Sequence, residues 1–164
     1  MRFITKQDAQ KKNFGPVAPA MTTIIFDDTF EVLGVDNEKF DNVSRIKAKA
    51  QTFLADIEVD INTDIYPVQI KDTMRIAIAS TGSTQMDSWD GTGSSAGNLA
   101  DDYEYVMYGK VYKKAPSKKN SGSGNDVVLY ASFGGLLMSL DAEKADLEGA
   151  HVDDRVYLLV KRVY

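Results

Sequence analysis

Three adjacent carboxylate pairs, Asp27 with Asp28, Asp101 with Asp102 and Asp153 with Asp154, are the residues best suited to chemistry. Such pairs can hold a divalent cation or divide general-acid from general-base work. Their spacing argues against both. Neighbours on a strand point to opposite faces, so an adjacent pair does not by itself converge on one ion. The chain has one histidine, His151, and no cysteine. Neither a zinc set nor a nucleophile-and-base constellation follows from that inventory. No catalytic residue, metal site or cofactor is expected, and His151, in a polar stretch before the last strand, reads as a surface residue.

Binding chemistry is better represented. Lys110, Lys113, Lys114, Lys118 and Lys119 gather positive charge at the end of one strand and in the Ser/Gly-rich loop after it. A solvated loop is the default reading, and contact with RNA, DNA or an acidic partner is the alternative. Tyr103, Tyr105 and Tyr108 crowd a strand that also carries Asp101, Asp102 and Glu104. Period-two alternation places Tyr103 and Tyr105 on one face and Tyr108 on the other. The carboxylates would repel a phosphate backbone, so a protein interface suits these tyrosines better than base stacking. Gly134 and Gly135 interrupt two apolar runs. They mark a bulge, a barrel corner or a close approach of another backbone, and the expected form is a bend that lets one ribbon serve both sides of a barrel. A docking surface is compatible with that form.

These groups must be positioned by strands. Apolar side chains alternate with polar ones in eight short segments: Phe26, Phe30 and Val32; Ile46, Ala48 and Ala50; Ile57, Val59 and Ile61; Met74, Ile76 and Ile78; Tyr103 to Tyr112; Val127 to Phe133; Leu136 to Leu140; and Val156 to Lys161. Eight antiparallel strands with one apolar face each bury it most economically by closing into a barrel, and OB-type Greek-key barrels and sandwiches share this pattern. Asp141 to Gly149 reads as a short helical turn. Arg45, Lys47 and Lys49 line the solvent face of the second segment, and Asp56, Glu58 and Asp60 that of the third, across a tight connection at Gln51 and Thr52. A hairpin there sets opposite charges across from each other and neutralises the basic stripe.

At 164 residues the chain is sized for one core, and its net charge of −5 is unevenly spread. Residues 1–20 are basic, with Arg2, Lys6, Lys11 and Lys12 against Asp8. The remainder is therefore more acidic than the total and poorly suited to phosphate backbones. Residues 1–20 read as a flexible extension, or as a start placed upstream of the usual one, and 21–164 as a single domain. The segment Ser80 to Asn98, with a solitary Trp89, reads as a long polar loop. No apolar run approaches the roughly 20 residues a spanning helix needs, so no membrane association is expected.

Two stretches carry a family resemblance, LADDYEYVMYG at Leu99 to Gly109 and YASFGGLL from Tyr130, running on through Met138. Together they resemble the small eighth subunit shared by the eukaryotic nuclear RNA polymerases I, II and III. IFDDTF at Ile25 to Phe30, VDINTDIYP at Val59 to Pro67 and YLLVKR at Tyr157 to Arg162 extend that resemblance over most of the chain from Met21 onward. It implies an all-β, OB-fold-like Greek-key barrel with long polar loops. It also implies a non-catalytic structural subunit, docked on the largest subunit of each polymerase and away from the catalytic metal, which the largest subunit carries. The implied location is the nucleus, including the nucleolus, with nucleic acid contacted only indirectly or weakly and no homo-oligomer inside the complex. Tyr103, Tyr105, Tyr108, Gly134 and Gly135 are the expected partner contacts, and the glycine doublet is expected to reject any side chain. An autonomous single-stranded nucleic-acid-binding OB module is the alternative.

Overall fold

The computed structural model describes residues 3–5, 23–82, 102–119 and 124–164. After β1 (Phe3–Thr5), eight strands follow: β2 (Thr23–Phe40), β3 (Val43–Ala50), β4 (Asp56–Asn62), β5 (Thr73–Gly82), β6 (Tyr105–Pro116), β7 (Asp126–Phe133), β8 (Leu136–Glu143) and β9 (Arg155–Arg162). Period two dictates the rest. The apolar faces expected of β2 to β5 are buried together, and β6 to β9 add Tyr105, Met107, Val111, Leu129, Phe133, Met138, Leu140 and Leu158 to the same core. Each large side chain removed from water there contributes on the order of 1.5–3 kcal/mol before entropy is counted.

The sheet runs β6-β7-β8-β4-β3-β2-β5-β9, and pairing of β9 with β6 closes it into an eight-stranded antiparallel barrel. Two meanders, β2-β3-β4 and β6-β7-β8, are joined by the antiparallel β4–β8 pair, with β9 inserted between β5 and β6. This is the expected all-β closed architecture. A short 3-10 helix, Lys144–Leu147, follows β8 where a helical turn was expected. Within the nominal extension, Phe3–Thr5 form a strand paired with β6, and Arg2, Lys6, Asp8, Lys11, Lys12 and Met21 lie outside the described residues. Ser80 belongs to β5, whereas residues 83–101, with Trp89 and Asp101, also lie outside them.

β6 divides its edges. Its first half, Tyr105 to Lys110, pairs with β9, and its second, Lys110 to Pro116, pairs with β7. Gly109 sits where those two pairings hand over. A Cβ there would lie 2.2 Å from the Ser132 carbonyl oxygen and 2.9 Å from Phe133 Cα, so only glycine lets β7 come that close.

Two local expectations are corrected. Gly134 and Gly135 are not a bend within a ribbon but a two-residue hairpin turn between the paired Phe133 and Leu136. Their φ angles of 64° and 99° are the left-handed pair that a primed hairpin turn requires. A Cβ on Gly135 would meet nothing within 4 Å, so the restriction there is conformational and not steric. The β3–β4 connection is longer than Gln51 and Thr52. It runs to Ala55, whose carbonyl accepts the Ala50 N–H, while the buried Asp28 carboxylate accepts the Thr52 and Phe53 N–H groups. Asp28 shares the core-facing parity of Phe26 and Phe30, and those turn amides explain a carboxylate in that position.

Thermal melting should separate the two kinds of glycine. Gly135→Val should cost about 1–2 kcal/mol through its left-handed backbone, while Gly134→Asn should stay within about 0.5 kcal/mol because Asn suits the first turn position. Gly109→Ala should cost about 1–3 kcal/mol by overpacking. A Gly109→Ala protein that melts like the parent would contradict the close approach.

Candidate partner interface

The β3–β4 hairpin has the register its charges called for: Arg45 faces Asp60, Lys47 faces Glu58 and Lys49 faces Asp56. The three pairs are not equivalent. Arg45 Nε lies 2.8 Å from Asp60 Oδ1 and Arg45 Nη2 lies 3.2 Å from Oδ2, a two-pronged contact. That hydrogen bonding raises the Arg45 pKa above the usual guanidinium value. Asp60 is 2% exposed, which corrects its expected place on the solvent face. Its Oδ2 also accepts the Leu137 N–H at 3.0 Å, just past the end of the β4–β8 ladder at Val59 and Met138. Asp60 therefore ties the charged hairpin to the first residues after the glycine turn. Lys47 and Glu58 stand 3.6 Å apart on the surface, where such a pair contributes little. Asp56 bonds instead to Lys119, whose ammonium is held charged, above the ordinary lysine pKa, by that contact.

The tyrosines do not form one stripe. Tyr105 lies inside the barrel, fully buried, with its ring 5.4 Å from that of Tyr66 and its hydroxyl oxygen accepting the Asn62 N–H at 3.2 Å. It is a core residue, which removes it from the expected contact surface. Tyr103 precedes β6 in an irregular stretch, so strand alternation does not carry back to it. It packs outside the barrel with Ala77, Ala79, Val106, Tyr157 and Leu159, and Tyr108 packs against the same cluster. The Tyr108 and Tyr157 rings are 4.9 Å apart, and Lys161 Nζ sits 5.2 Å from the Tyr103 ring centroid. Tyr103 and Tyr108 thus share a side, opposite to the expectation. Tyr66, from VDINTDIYP, closes this end of the barrel by donating its hydroxyl to Glu104 Oε2 at 2.7 Å. Burial raises the phenol pKa of Tyr66, Tyr103 and Tyr105, reinforced at Tyr66 by Glu104 and at Tyr103 by the Asp27 charge.

The five lysines do not form a single patch, because Lys110 and Lys114 turn away from the other three. Lys110 pairs with Asp153 at 3.2 Å, and Lys113 stands 5.4 Å over the Tyr130 ring. Lys114 points to the far end of the barrel and donates to the Leu147 and Ala150 carbonyls at 2.9 and 3.0 Å. A register shift between Val111 and Lys113 reorients the side chains that follow it. Lys113, Lys118 and Lys119 border an open groove of about 400 Å³ that also holds Asp56, Glu58 and Asp141, so it is of mixed charge.

Asp27 and Asp28, on β2, diverge as strand geometry requires, whereas Asp153 and Asp154 lie in the turn before β9 and Asp101 lies outside the described residues. Asp27 forms a two-pronged contact with Arg75 at 2.9 and 2.6 Å, while Asp28 turns inward to the β3–β4 connection. Asp153 goes to Lys110, and Asp154 accepts the His151 N–H at 2.9 Å. The His151 side chain itself is exposed.

One surface was not singled out from the sequence. Tyr112 and Leu137 are exposed, and with Tyr130, Met138, Arg45 and Glu58 they line a cleft of about 150 Å³ on the outer face of β3, β4, β6, β7 and β8. The exposed Gly134–Gly135 turn lies beside it in the chain. A signal for Leu137 was available: with Met138 and Leu140 inward, alternation sends Leu137 outward. For Tyr112 there was none, because the register shift falls on it.

With this geometry in place, relatives can be compared. A family model described as RNA polymerase Rpb8 matches residues 27–162. A Dictyostelium discoideum protein described as DNA-directed RNA polymerases I, II, and III subunit rpabc3 is 43% identical over 148 residues, covering 87% of this chain and 99% of its own. A Saccharomyces cerevisiae protein described as DNA-directed RNA polymerases I, II, and III subunit RPABC3 is 34% identical over 152 residues, covering 87% and 100%. An Arabidopsis thaliana protein described as DNA-directed RNA polymerases II, IV and V subunit 8B is 35% identical over 150 residues, covering 88% and 99%.

Two outcomes are expected from this geometry. Asp60→Ala should lower stability by about 2–3 kcal/mol, since it strands the Arg45 guanidinium and the Leu137 N–H, whereas Lys47→Ala should change it by less than about 0.5 kcal/mol. Equal losses in urea unfolding would refute the special role of Asp60. In alkali, the unfolded tyrosines ionise near pH 10 while the buried ones stay protonated. The folded state then binds more protons, so stability present below pH 10 is lost as pH rises above it. The slope should be about 1.4 kcal/mol per pH unit for each buried tyrosine. Tyr105→Phe should shallow that slope by one tyrosine's share between pH 10 and 11, and an unchanged slope would contradict its burial.

Proposed function

Because the chain belongs to the RNA polymerase Rpb8 family, we propose that it docks on the largest subunit of nuclear RNA polymerases I, II and III and carries out no catalytic step itself. It is a structural subunit of these transcription enzymes, assembled with other polymerase subunits in the nucleus. Presence in the nucleolus follows if polymerase I is among its hosts. Residues 21–164 act as the single docking domain, with 1–20 an extension that lends β1 to its sheet.

The observation that carries the docking reading is the cleft between Tyr112 and Leu137. Two large apolar side chains stand exposed there among Arg45 and Glu58, beside a glycine turn with no side chains to obstruct a neighbour. An aromatic and aliphatic centre with a charged rim is the usual anatomy of a protein interface. Gly134 and Gly135 belong to that contact, and the half-buried Tyr108, with the buried Tyr103 packed in the same cluster behind it, supports a second one on the opposite side of the barrel. Nucleic acid is reached mainly through the rest of the enzyme, because Lys110, Lys113, Lys114 and Lys119 each already engage a group of this chain.

The test is affinity capture of the tagged chain from nuclear extract at moderate salt, with quantification of the attached subunits. The parent chain should retain the largest subunits of all three polymerases in stoichiometric amounts. Leu137→Glu and Tyr112→Glu should retain at least tenfold less while melting like the parent. Undiminished recovery with both variants would sink this docking face. Absence of the largest subunits from the parent's own complexes would sink the docking itself.

A further inference from the structure

One stretch of β6 is paired with the other barrel strands along one edge only. β9 covers Tyr105 to Lys110 along one edge, and β7 covers the other edge only from Lys110 onward, because its chain turns away at Gly134 and Gly135. The β7-side edge of Tyr105–Met107 therefore lies outside the barrel's own ladder and is open to pairing with a further strand. Such an edge is a ready template for another extended segment. Phe3–Thr5 lie along it, antiparallel, with Phe3 opposite Met107, Ile4 opposite Val106 and Thr5 opposite Tyr105. With β9 on the other edge of those residues, β1 can only occupy the side that β7 leaves.

We propose that the Tyr105–Met107 edge of β6 is a strand-acceptor site, and that the chain's own N-terminal segment Phe3–Thr5 is the strand it takes, capping the edge against foreign strands. The donor precedes residue 27, where the family match begins, so the cap is an addition to the shared domain. Its tether is favourable. Thr23 stands opposite Ser80, Ser80 opposite Val156 and Val156 opposite Gly109, which places the start of β2 four strand spacings, about 19 Å, from β1, with Thr5 four residues, about 13 Å, further along the strands. Residues 6–22 can reach on the order of 50 Å when extended, so they span that gap with slack.

The test uses the full chain and hydrogen exchange read residue by residue. Along an antiparallel strand successive amides point to opposite edges, so Tyr105–Met107 contain amides aimed at β9 and amides aimed at β1. Ile4→Pro combined with Thr5→Pro blocks both hydrogen-bonding parities of the donor. The β1-directed amides should then exchange at least tenfold faster, while those aimed at β9 keep their protection and size-exclusion chromatography still shows a monomer. Unchanged exchange at every amide of Tyr105–Met107 would overturn the proposal. A parent chain that runs as a dimer, with protection that falls on dilution, would overturn the intramolecular cap in favour of exchange between copies.

Discussion

The pairing of β6 with β9 is the constraint on which the rest depends. Eight strands with one apolar face each can exclude water only if the sheet returns on itself, and this is the pair that closes it. Closure forces a stagger. β6 must meet β9 with one half and β7 with the other, and the handover falls at Gly109, where a carbonyl of β7 approaches too closely for any side chain. The same stagger leaves the edge that β1 covers, so the tightest point of the barrel and the edge that takes β1 are neighbours for one reason.

Charge is arranged to serve that closure rather than to attract a polyanion. The basic stripe of β3 is met by the acidic stripe of β4 in register, and the pair that matters is the one withdrawn from solvent. Asp60 binds the Arg45 guanidinium and replaces a missing ladder acceptor for Leu137, so one carboxylate holds two hairpins in a fixed relation. Removing a surface partner such as Lys47 exposes nothing, whereas removing Asp60 leaves two donors without their acceptor. A face neutralised in this way, with Tyr112 and Leu137 standing out of it, suits a protein neighbour, in keeping with membership of a multi-subunit polymerase family.

The tyrosines and lysines show how proximity in sequence misleads. Tyr103 and Tyr105 are two apart, yet one packs outside the barrel and the other inside, because the strand begins only at Tyr105. The five lysines from Lys110 to Lys119 read as one cluster, yet Lys110 goes to an ion pair and Lys114 to the carbonyls that cap the barrel end, which leaves Lys113, Lys118 and Lys119 along one groove of mixed charge. Composition gave the right residue types in both cases. Alternation could not say where it starts or where it slips.

The sequence alone determined the all-β class, the inward faces of β2 to β5, the divergence of Asp27 from Asp28 and the opposed charges of the β3–β4 hairpin. These follow from period-two geometry, which is local. The resemblance carried by LADDYEYVMYG and YASFGGLL pointed to the family that the comparisons establish. Only the tertiary structure decided which carboxylate is buried, which tyrosine is core, that Gly134 and Gly135 reverse the chain, and that β6 shares its edges among three strands. Those outcomes depend on where distant strands meet, and the position of a closing pair is set by the whole barrel rather than by any segment of it.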